Sequence, residues 1–102
     1  MDPVLYRHGD VLLQAVSGIP ASARKRPHLV LAEGEMTGHS HRIAEAASAE
    51  LLQLGADLYL NVLADSATLV HEEHGPIELP HGSYRVWRQR EYAPREVRVV
   101  RD

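Results

Sequence analysis

The sequence predicts an all-β domain, a small barrel or sandwich of about eight short antiparallel strands. Three observations carry this. Glycine- and proline-containing turns cut the chain into segments of a few residues. Several of those segments alternate apolar and polar side chains, the period of a half-buried strand. The stretch with the most helix-favouring composition, residues 44–54, is short and runs directly into a hairpin.

Taken in order, His8-Gly9 reads as a turn that leads into a first strand from Asp10 to Val16. Residues 17–27 carry Gly18, Pro20 and Pro27 among basic residues, the composition of a surface loop. His28 to Glu33 reads as a strand, Gly34 opens a bend, and Gly38 to Ile43 resumes an extended segment. Within 44–54 the alanines and glutamates favour helix, but the segment from Glu50 to Leu54 is read as a strand. Gly55-Ala56-Asp57 turns the chain into Leu58 to Leu63, and Ala64-Asp65-Ser66 turns it again into Ala67 to Glu72. Gly75-Pro76 and Pro80-His81-Gly82 bracket a short strand from Ile77 to Leu79. Ser83 to Tyr92 is the longest alternating run, and Pro94 separates it from a last strand, Glu96 to Arg101. There is no internal repeat, low-complexity segment or linker, so residues 1–102 form one domain.

Composition narrows the function classes. Phenylalanine is absent and there is one Trp, so the core must be built from Val, Leu, Ile and Tyr. No cysteine is present, which excludes disulfide staples, a thiol nucleophile and a thiolate metal site. The N-terminal residues lack the charged start and apolar run of a signal peptide, and no apolar stretch nears the roughly eighteen residues of a membrane span. The chain is therefore expected to be soluble and cytoplasmic. A net charge of −3 argues against general nucleic-acid binding. Arg85, Arg88, Arg90, Arg95, Arg98 and Arg101 do crowd the C-terminal end, beside Trp87 and Tyr92. The plain reading of that crowding is a solvated strand face.

Seven histidines, spread along the chain, are the most unusual feature. Residues two apart on a strand share a face, so His39, His41 and Ile43 project together. By the same parity His71 shares a face with Leu69. If Ile43 and Leu69 look inward, the three imidazoles converge in an apolar interior, a natural seat for a divalent first-row metal. Glu45 shares the parity of His39 and His41 and could add an anionic ligand, while His74 could replace a partner where the chain bends at Gly75-Pro76. His8, His28 and His81 are read as surface residues.

At these positions the sequence resembles the cupin superfamily. The run Gly34-Glu35-Met36-Thr37-Gly38-His39-Ser40-His41-Arg42-Ile43-Ala44-Glu45 matches its first motif, and Gly75-Pro76-Ile77-Glu78-Leu79-Pro80-His81-Gly82 matches the first half of its second. Both glycine spacers are one residue short, and Tyr84 and Arg85 stand where the second motif carries its histidine. The resemblance implies a small cupin-like β-barrel with a metal near its axis, held by His39, His41, Glu45 and His71 or His74. Zinc, iron, manganese or nickel would suit such nitrogen and oxygen ligands. The implied function is a small metal-binding protein, and with it metal-dependent chemistry on a small molecule; Glu72, Glu73 and Tyr84 are the candidates for proton transfer. The alternative is a non-catalytic interaction module that binds a protein partner, or a homodimer formed through exposed strand edges.

Overall fold

The computed structural model describes residues 4–34, 38–89 and 98–101. Within them the chain is all-β, with nine strands in one hydrogen-bonded sheet. These are β1 (Val4–His8), β2 (Val11–Val16), β3 (Arg24–Lys25), β4 (Val30–Glu33), β5 (Ser40–Ile43), β6 (Ala49–Leu54), β7 (Asp57–Val70), β8 (Ile77–Arg88) and β9 (Arg98–Arg101). The order is β3-β6-β7-β8-β2-β1-β9, with β5 joining the far half of β7 and β4 pairing with β5. All pairs are antiparallel except β1 with β9, which is parallel. No helix among the described residues is long and apolar enough to cross a membrane.

The class matches the sequence reading, and several details differ, among them the short strand Arg24–Lys25 inside the expected loop 17–27. Val4–His8 forms a strand that the sequence reading left out. It pairs with β2 across the two-residue turn Gly9-Asp10, where Gly9 has φ +61°, as a primed hairpin turn requires. The expected turns at 64–66 and 80–82 are instead interior to β7 and β8, strands of 14 and 12 residues. The register steps from Val62↔Gly82 to Ser66↔Pro80, so three residues of β7 bulge opposite His81 alone. The Ser48 carbonyl accepts from the Leu63 and Ala64 amides, and this satisfies backbone that the bulge takes out of the ladder. Turn-forming residues here accommodate a bulge rather than reverse the chain. Of the expected last two strands, 83–92 and 96–101, residues 90–97 lie outside the described part.

The core gathers inward residues of β2, β6, β7 and β8, including Val11, Leu13, Leu51, Leu60, Val62, Leu69, Leu79 and Val86. Tyr84, an expected candidate for proton transfer, belongs to this core. Its ring meets Tyr6 edge-on at 5.9 Å and its hydroxyl donates to the Pro80 carbonyl at 2.7 Å. Burial, with the neighbouring Tyr6 adding to it, pushes its phenol up to about 12, so it stays protonated.

Candidate metal centre

Register builds the site. β5 and β7 pair as Arg42↔Val70 and Ile43↔Leu69. One further step, just past the end of β7, sets His41 against His71. Their ring centroids are 4.3 Å apart. The chain then turns through 71–76 and re-enters the sheet at Ile77, which pairs with Leu69. This reversal returns His74 to 4.8 Å from His71 and 5.7 Å from His41. One ring nitrogen from each of His41, His71 and His74 falls within 4.8 Å of the others. His41 is buried, as are Ile43 and Leu69, which places the inward face where parity expected it.

His39 lies one residue before β5, half-buried at the rim. It joins a second group, with His71 and Glu72, rather than the first. His39 and His41 thus both converge on His71, each from its own side. Glu45 goes elsewhere. β5 ends at Ile43, and the exposed Glu45 turns both carboxylate oxygens to Thr68, taking its amide at 2.8 Å and its hydroxyl at 2.6 Å. These hydrogen bonds hold its carboxyl below the usual carboxylate range. The parity argument for Glu45 required a longer strand than the chain forms.

The residue the sequence reading misplaced is His8. It was expected at the surface, yet it is fully buried at the end of β1. Its Nδ1 lies 2.8 Å from Nδ1 of His41, and its Nε2 lies 2.9 Å from the carbonyl oxygen of Gly75. Its ring centroid is 4.9 Å from His41 and 5.5 Å from His74. Its neighbour Gly9 is crowded by the same cluster. A Cβ there would stand 2.6 Å from Nε2 of His74 and 3.1 Å from Cε1 of His41. His28 and His81 are exposed, as expected.

Carboxylates brace the rim. Glu73 accepts from Nδ1 of His39 at 2.6 Å, which leaves the lone pair of a neutral His39 on Nε2. Glu72 accepts the Ser40 amide at 2.9 Å and pairs with Arg42 at 2.7 Å. The amide bond, with Arg42 beside it, holds the Glu72 carboxyl at about 2. His71 is held in the opposite sense, because its Nδ1 accepts the Glu73 amide at 2.9 Å. A neutral His71 therefore carries its hydrogen on Nε2, and it must release one of these arrangements to ligate. Burial, followed by the imidazoles of His71 and His8, holds His41 down at about 4. It is neutral near pH 7, as a ligand must be.

A cavity of about 580 Å³ opens nearby, lined among others by Val11, Leu31, Leu51, Val86, Trp87 and Arg88. The cluster histidines are not in its wall. It meets the centre through Arg88, whose Nε is 3.3 Å from Asp10 Oδ2, while Asp10 Oδ1 is 3.4 Å from His41 Nε2. Arg85 and Arg88, near the C-terminal end, are engaged internally. Arg88 also donates to the Glu33 carbonyl, and Arg85 pairs with Asp57 and stacks over Trp87. Arg90, Tyr92 and Arg95 lie outside the described residues.

Fold and site together define an all-β domain with a histidine cluster at the mouth of its core. The chain belongs to the family described as Domain of unknown function (DUF8820), whose model matches residues 7–89. No curated protein and no solved structure matches it.

Proposed function

We propose that this domain binds one divalent first-row metal ion through His41, His71 and His74, with His39 beside His71 at the rim. The observation that carries the reading is the convergence of three imidazoles within 4.8 Å, one of them buried and neutral. The donor set fits: neutral imidazoles suit zinc, iron, nickel and manganese. A bound ion with an open position supplies Lewis acidity and lowers the pKa of a bound water.

The residues around it have separate tasks. Glu73 orients His39, Glu72 ties the start of β5 to the 71–76 segment, and Gly9 leaves room for His74. The adjoining cavity is within the roughly 300–1,000 Å³ of small-molecule sites. Metal-dependent binding or conversion of a small molecule is thus the reading best supported, and the resemblance to cupins points the same way. The internal pairing of Arg85 and Arg88 makes a protein-docking module the weaker alternative.

Calorimetric titration of the metal-free protein with Zn²⁺, Ni²⁺, Mn²⁺ and, anaerobically, Fe²⁺ tests this. One ion per chain is expected, lost in a His41→Ala/His74→Ala variant that keeps its β circular dichroism. No stoichiometric binding of any of the four would overturn it.

A further inference from the structure

We infer that His39, His71 and Glu72 form an outer cation site that loads the inner one: a divalent ion lands at the rim and passes inward through His71, the residue common to both. The inference rests on the metal-binding reading above and concerns how the ion arrives.

Two groups of ligand atoms stand side by side. One ring nitrogen each from His39 and His71 and one carboxylate oxygen of Glu72 lie within 4.8 Å of one another, as do ring nitrogens of His41, His71 and His74. The His71 ring centroid is 4.3 Å from that of His41 and 5.6 Å from that of His39. A neutral imidazole has one nitrogen lone pair, so His71 serves one ion at a time. Occupation of one group therefore empties the other, and the chain holds a single ion with two positions.

Exposure and charge set the direction. The His41 side chain is 4% exposed, while those of His39 and Glu72 are 30% and 37% exposed. At the outer group Glu72 and Glu73 stand against Arg42, two carboxylates to one guanidinium. At the inner group the Asp10 carboxylate beside His41 is shared with Arg88. A surplus of negative charge at a solvated rim draws cations and speeds their arrival. The outer site is the weaker holder, because Glu72 already accepts from the Ser40 amide and from Arg42. Three imidazoles, one of them buried, then retain a zinc or nickel ion that the rim has passed on. A tight outer site would trap the ion instead of loading it.

Stopped-flow loading of the metal-free full chain with Zn²⁺, followed with a chromogenic indicator, reads the path, and calorimetric titration reads the destination. His39→Ala and Glu72→Gln should each slow loading about tenfold, and release by a similar factor, with affinity kept within about threefold. Glu45→Ala, which removes an exposed carboxylate outside both groups, should load at the wild-type rate. In a His41→Ala/His74→Ala variant, whose stoichiometric binding is gone, millimolar Zn²⁺ should still shift the ring ¹⁵N signals of His39 and His71. Wild-type loading in His39→Ala, a loss of affinity there as large as the loss of rate, or two ions bound at once would each overturn the inference. If a rim variant does not fold, the ring shifts in the double variant decide. If wild type takes up no Zn²⁺ stoichiometrically, the metal reading fails. The His39 and His71 signals at millimolar Zn²⁺ then judge the outer site alone: shifted they support it, unmoved they refute it.

Discussion

Replacing Gly9 by alanine separates site geometry from backbone strain, because Gly55 provides a matched control. Gly9 has φ +61° and Gly55 has φ +59°, so an alanine at either position meets the same left-handed penalty, about 1–2 kcal/mol. The surroundings differ. A Cβ at Gly55 meets nothing within 4 Å, whereas at Gly9 it stands 2.6 Å from Nε2 of His74. Ordinary contact begins at 3.4 Å, so the His74 ring must retreat by about 0.8 Å (3.4 minus 2.6). The atom met is the far end of a side chain, and its retreat adds little to the loss of stability. It does exceed the roughly 0.2 Å tolerance of a metal–ligand bond several times over. Urea unfolding of the metal-free proteins should therefore show similar losses of about 1–2 kcal/mol for Gly9→Ala and Gly55→Ala. Zn²⁺ titration should show at least about a tenfold loss of affinity for Gly9→Ala alone. Equal Zn²⁺ affinity in the two variants would refute the placement of His74 in the centre.

Two further outcomes follow from the same geometry. His41 is held at about 4, below the 6.5 of an unfolded chain, so the stability of the metal-free protein is intact above pH 6.5 and is lost as pH falls toward 4. Urea midpoints should drop by the equivalent of about 2 kcal/mol between pH 7.5 and 4.5 in wild type and much less in His41→Leu; equal drops would show that His41 is not buried neutral. Glu45→Ala should leave Zn²⁺ affinity within about twofold of wild type, since this carboxylate is spent on Thr68; a tenfold loss would return Glu45 to the ligand set.

Much of the fold was legible because it is written locally. The alternation around Leu58–Leu63 and Ser83–Arg88 survives in β7 and β8, and Glu50–Leu54 forms most of β6 despite its helix-favouring lead-in. The continuity of β7 through Ala64-Asp65-Ser66 was not legible, because a bulge and a turn use the same residues and only the partner strand distinguishes them. For the site, parity located His41 beside Ile43 and His71 beyond Leu69, since period-2 geometry needs no tertiary knowledge. Parity did not carry to Glu45, where the strand had already ended, while His39, which precedes β5, still comes beside His71 at the rim. His8 was invisible because nothing local marks it. Its partners are 33 and 67 residues away, and only the folded sheet brings them together.

The central claim is that one ion is shared by imidazoles from β5 and the 71–76 turn. X-ray absorption at the metal edge of the reconstituted protein tests it most directly, since outer-shell scattering counts imidazole ligands. The account predicts one metal per chain with at least three imidazoles at about 2.0–2.1 Å for zinc, and loss of that signal in a His41→Ala/His71→Ala/His74→Ala variant. A bound metal with one imidazole or none, or an unchanged spectrum in the triple variant, would contradict it.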